Sequence, residues 1–137
     1  MVRVEVLRRR LNRLDECLNI LRRLRRYSAE EFLGNPERYG SAERFLQLAI
    51  EAVTDMGNHL IADLALGEVN WYSDIPRILV EKGYIDRDLG ERWIRMLGFR
   101  NVLVHEYLDI DRRIVYEVLQ QGLEDLEALK QFFARFL

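Results

Sequence analysis

The stretch "LRRRLNRLDECLNILRRL", residues 7–24, sets Leu7, Leu11, Leu14, Leu18 and Leu21 at alternating steps of four and three residues. That period is the seam of a long amphipathic helix with a coiled-coil-like face, and it ends near Tyr27. Arginine fills the intervening positions. Residues 1–26 hold nine Arg against Glu5, Asp15 and Glu16, a local balance of +6. The whole chain is −2, so the remainder carries −8. A strip this polarised can face phosphates, or it can be a solvated surface that pairs with acids. The basic helix does not by itself choose between them.

The same helical logic runs through the rest of the chain. Ser28 followed by Glu31 reads as a capping box that opens a short helix, stopped by "GNPERYG" at 34–40. Ser41 starts a second long helix whose stripe of Phe45, Ala49, Ala52, Met56, His59 and Asp63 carries it to about Leu66. Gly67 is its expected stop. Ser73 or Asp74 caps a third helix that tolerates Pro76 in its first turn and ends at Gly83. Asp86 opens the fourth, with a stripe of Leu89, Trp93, Leu97, Arg100, Val104 and Tyr107. Asp111 caps a last helix carried by Val115, Leu119, Leu126, Leu129 and Phe133. No alternating strand of useful length interrupts this pattern. The expected fold is all-α: an up-and-down bundle of four main helices plus one or two short ones, in a single domain spanning 1–137.

Composition narrows the class further. Apolar residues at 49% and charged residues at 32% describe a chain that can bury a core rather than a disordered one. Cys17 is the only cysteine, so no internal disulfide forms, and a reducing cytoplasm is the expected setting. Its expected role is that of a buried small hydrophobe. No apolar run reaches membrane-spanning length, and no signal-peptide core opens the chain.

The residues that carry chemistry concentrate in "FRNVLVHEY", 99–107. Arg100 and His105 are five apart, about 140° around an ideal helix, and would not share a face. Either the helix loosens near His105, or Arg100 reaches a cleft completed by a second subunit. Imidazole can take the proton of a ribose 2′-OH or protonate the leaving oxygen. Arginine can bind the phosphate and stabilise the phosphorane. Residue chemistry alone leaves an equal alternative: a histidine bonded near a helix end and an arginine in a salt bridge.

"RNVLVHEY" matches the R-x4-6-H pattern of the HEPN ribonuclease superfamily. The longer "RNVLVHEYLDIDRRIVYEVL" resembles its HepT-like toxin branch, and "ERFLQLAIEAVTDMGNHLIAD" (43–63) is similar to that branch's second helix. The resemblance implies a symmetric homodimer with metal-independent endoribonuclease sites between subunits, without a cofactor. It makes Arg100 and His105 catalytic, and Asn101 a group that orients the phosphate or the pair. It implies a type VII-like toxin–antitoxin system in which a minimal nucleotidyltransferase (MNT) antitoxin adds AMP to Tyr107. The rival expectation is a non-catalytic helical module that binds a nucleotide or a partner through the same cleft.

Other residues also have site chemistry. His59 has Asp55 and Asp63 at i−4 and i+4, but with one imidazole and no cysteine a hydrogen-bonded, inward-facing histidine is expected, not a metal site. "HEYLD" lacks the second histidine of a zinc hydrolase helix. Trp71 and Tyr72, in the connection "LGEVNWYSD", can stack on bases or anchor that loop on the bundle; anchoring is the commoner role.

Overall fold

The computed structural model describes residues 1–137 and contains no strand. Its helices are α1 (Val4–Leu24), α2 (Ala29–Leu33), α3 (Pro36–Asp63), α4 (Asp74–Glu81), α5 (Arg87–His105), α6 (Arg112–Gln121) and α7 (Leu123–Ala134). The leucine seam of α1 is buried along its whole length, together with Cys17. Burial also pushes the Cys17 thiol above its ordinary pKa. Three of the expected caps form, whereas Ser73, at the start of α4, makes no side-chain cap bond. Ser28 Oγ accepts from Glu31 N–H at 3.2 Å while Glu31 Oε1 accepts from Ser28 N–H at 3.0 Å. Asp86 and Asp111 cap α5 and α6 in the same way.

Three boundaries differ from expectation. "GNPERYG" stops α2 at Gly34, as expected, but it also starts the next helix. Asn35 Oδ1 accepts from the Glu37 and Arg38 N–H groups at 2.9 and 3.3 Å, and Pro36 takes the first helical position, where its missing N–H costs nothing. So α3 begins at Pro36 rather than Ser41. At its other end α3 stops at Asp63, before Gly67. Ala65 adopts a left-handed φ of 52°, and the Leu66 N–H turns back to the Ile61 carbonyl at 3.0 Å. The last helix is broken in two at Gly122.

Ion pairs between helices fix the chain directions. Arg3 meets Asp63 while Arg10 meets Asp55, so α3 runs antiparallel to α1. Lys130 meets Asp15 and Glu124 meets Arg25, so α7 is also antiparallel to α1. Trp93 Nε1 donates to Thr54 Oγ1 at 3.2 Å and Arg100 reaches Glu51, so α5 is antiparallel to α3. The result is an up-down-up-down bundle of α1, α3, α5 and α6–α7, with α2 and α4 as the short helices. Trp93 lies fully buried at its centre, edge-on to Phe133. Gly57 makes room for it: a Cβ at that position would lie 2.6 Å from Ile75 and 2.9 Å from Trp93. No helix is long and apolar enough to cross a membrane.

The charge asymmetry of the sequence resolves within the chain. Acids on α3 and α7 take up much of the basic strip: Arg3 with Asp63, Arg10 with Asp55, Arg22 with Glu127 and Arg25 with Glu124. Arg9, Arg23 and Arg26 remain outside every ion pair.

Candidate functional site

Arg100 sits on the face of α5 that packs against α3. Its Nε and Nη2 both reach Glu51 Oε2, at 2.8 and 2.7 Å, and Gln47 Nε2 donates to the same oxygen at 3.1 Å. The remaining edge is only loosely held, with Nη1 donating to Asn101 Oδ1 at 3.3 Å. The Arg100 side chain is 20% exposed, so its guanidinium is fixed in direction yet open on one side.

Arg100 lines a groove of about 630 Å³ floored by α3 and walled by α1 and α5. Arg9, Arg10 and Arg13 line the α1 wall, and Tyr72 lies at the margin. Spacings of three and four residues put these arginines on one face of α1, beside the leucine seam.

His105 is the final residue of α5, and its exposed side chain makes no hydrogen bond within the chain. α5 ends at His105, and Glu106 leaves helical geometry at φ −121°, ψ 32°, so the helix loosens before Asp109 as expected, yet it runs unbroken from Arg100 to His105. The backbone carries His105 away from the face that Arg100 shares with Glu51. A single chain joins Arg100 to Asn101 but not to His105. Tyr107 falls beyond the helix end, in the turn closed by Asp109 N–H to Glu106 O at 3.0 Å, so the expected Arg100–Tyr107 stripe is interrupted. Its ring is 63% exposed. Val102 on α5, Leu108 in the turn after it and Ile114 on α6 are also exposed, so apolar groups are left uncovered on either side of His105 along the chain.

The family model for HepT-like ribonucleases matches residues 14–132. The chain belongs to this family. It is 34% identical over 82 residues to an mRNA nuclease HepT of Shewanella oneidensis, covering 60% of this chain and 62% of that protein. A tRNA nuclease HepT of Aphanizomenon flos-aquae is 27% identical over 121 residues, 87% of this chain and 81% of that one. Among solved structures, the tri-AMPylated Shewanella oneidensis HEPN toxin in complex with its MNT antitoxin superposes with a TM-score of 0.86 at 24% identity. That match covers 95% of this chain and 97% of that one, and it shows a shared HepT-like fold.

Two further residues bear on the groove. Glu51 gave no signal in the sequence, because its partnership with Arg100 depends on the register between α3 and α5. Tyr72, with Trp71, was expected to anchor its loop. Instead the two are 60% and 74% exposed, and the loop is held by Asp74, whose carboxylate accepts from the Asn70 and Trp71 N–H groups at 3.0 and 2.9 Å. Those bonds keep the Asp74 carboxyl below its ordinary pKa. His59 is partly buried and bonded through Nδ1 to Arg3 Nη2 at 2.9 Å, a contact that supports the end of α1 rather than the groove.

Proposed function

We propose that this HepT-like chain is a metal-independent endoribonuclease, the toxin of a type VII-like toxin–antitoxin pair acting on cytoplasmic RNA. The observation that carries the reading is the Arg100 guanidinium, held by Glu51 where it lines an arginine-rich groove. A positioned, permanently charged donor pair of this kind suits a phosphate on which negative charge builds up. His105 as general base takes the 2′-OH proton, the 2′ oxygen bonds to phosphorus, and the bond to the 5′ oxygen breaks. The departing oxygen gains a proton, leaving a 2′,3′-cyclic phosphate.

His105 and Arg100 diverge within one chain, and exposed Val102, Leu108 and Ile114 flank them. A symmetric homodimer that buries this face brings the two motifs of the pair into one cleft. Tyr107, exposed in the turn after α5, is the acceptor for AMP from the nucleotidyltransferase antitoxin. Its phenol oxygen attacks the α-phosphorus of ATP, loses its proton, and pyrophosphate leaves. A bulky anion at that turn then blocks the cleft.

Purified dimer free of AMP is expected to cut RNA in the presence of EDTA and leave cyclic phosphate ends. His105→Ala should lower kcat by about 10²–10⁴-fold. Full activity of an Arg100→Ala, His105→Ala double variant sinks the proposal. The separation of the two residues in one chain also fits a non-catalytic module that binds a nucleotide or partner. Antitoxin binding without any cleavage by unmodified protein would favour that second reading.

A further inference from the structure

The groove beside Arg100 uses two features that cleavage alone does not require: the arginines of α1 and the exposed aromatic pair Trp71–Tyr72. Arg9, Arg10 and Arg13 bring three positive charges to one wall and Arg100 a fourth to the other; Glu51 and Asp55 return two negative charges. The surplus is concentrated at Arg9, which has no acidic partner, and at Arg13, which pairs only with Glu16 along its own helix. Tyr72 reaches the margin of this basic surface, and Trp71 stands next to it with most of its ring in solvent. The loop that carries both rings is fixed by Asp74 at its base rather than by packing of the rings.

From this juxtaposition we infer that the groove over α3 is a binding track for single-stranded RNA that leads the strand to Arg100. Phosphates lie along Arg9 and Arg13, and an unstacked base lies against Tyr72. The cationic wall explains affinity for a polyanion. The free aromatic faces select a single strand, because a base already stacked in a duplex offers them no open face. An acidic protein surface would use the arginines but leave the two exposed rings without a role. The inference rests on the reading of Arg100 as a phosphate-binding group, and it adds the segment of substrate outside the scissile bond.

The test is fluorescence anisotropy with a labelled mixed-sequence 2′-O-methyl oligoribonucleotide, which lacks the nucleophile and so reads binding apart from cleavage. Arg9→Ala, Arg13→Ala together should weaken binding about tenfold and reduce the slope of log K against log salt by about 1.4, the value for two single-strand phosphate contacts. Lysine at both positions should preserve the slope. Tyr72→Ala should weaken the single strand about tenfold, with Tyr72→Phe retaining it and duplex affinity unmoved. Circular dichroism melts of each variant establish that the fold persists, which the solvent-facing positions of all three side chains favour. Unchanged affinity and slope in the double arginine variant overturn the track. Equal losses for single strand and duplex in Tyr72→Ala overturn its selectivity. Failure of cleavage in the Arg100 and His105 experiment leaves these binding outcomes readable, so the two ideas fail separately.

Discussion

Arg100 and Glu51 meet through two nitrogens and one oxygen: Nε and Nη2 converge on Oε2 at 2.8 and 2.7 Å. The other Glu51 oxygen takes no part in the pair. The arrangement aims Arg100 but also places a negative charge where a phosphate is proposed to bind.

Removing that charge while keeping an acceptor should therefore separate affinity from chemistry. Glu51→Gln is expected to bind non-cleavable RNA about fivefold more tightly at low salt, the scale of one partly screened charge contact. Glu51→Ala should also bind more tightly but cleave about tenfold more slowly, because Arg100 loses its holder. Anisotropy and single-turnover cleavage read the two effects. Weaker binding by Glu51→Gln would contradict the role assigned to this pair.

The end of α3 carries a correctable strain. Ala65 holds a φ of 52° in a turn-back that elsewhere, after α4, is made by Gly83 at φ 80°. A Cβ in the left-handed region costs about 1 kcal/mol or somewhat more. Ala65→Gly is expected to stabilise the protein by about 0.5 kcal/mol, what is left of the relieved strain after the added freedom of glycine in the unfolded chain is subtracted. A chemical denaturation midpoint that stays put or falls would show that the turn is relaxed as it stands.

Asp63 ties the start of α1 to the end of α3. The Arg3 N–H donates to Oδ2 at 3.0 Å and Arg3 Nε to Oδ1 at 2.9 Å, and these bonds hold the Asp63 carboxyl below its ordinary pKa. A depressed folded value means the native state favours the ionised form. Its stabilisation is complete above the unfolded value of about 3.9 and is lost as pH falls toward the folded one. The gap in melting temperature between the wild type and Asp63→Asn should be constant from about pH 7 to 5 and close below about pH 4. Comparing the two cancels the opposite contribution of Glu43, whose pKa burial raises despite Arg112. A gap that persists unchanged into acid would contradict the assignment.

These particulars also show what could be read from residues alone. The leucine seam of α1, the Ser28–Glu31 box and the Asp86 and Asp111 caps are local codes, each decided within four residues or one repeated face, and all four form as expected. "GNPERYG" stops α2 as read but hides the start of α3, because Asn and Pro mark helix starts as readily as turns; only the bonds that Asn35 accepts decide. The break at Gly122 is similarly quiet, since an αR glycine leaves the apolar rhythm on both sides intact. In the site, Arg100, Asn101, His105 and Tyr107 are visible as a motif. The partnership with Glu51 and the arginine wall opposite are not, because they depend on how three helices set their registers across the bundle.

The Arg100–Glu51 pair has a further consequence under the ribonuclease reading. A free mononucleotide offers Arg100 a single contact against the carboxylate already there, with no second point of attachment to hold it. A polymer held at several points nearby presents its next phosphate at an effective concentration that intramolecular tethering raises to the millimolar range. Glu51 thereby acts as a threshold: abundant small phosphates fail to occupy the site, and chain length itself becomes a condition for engagement.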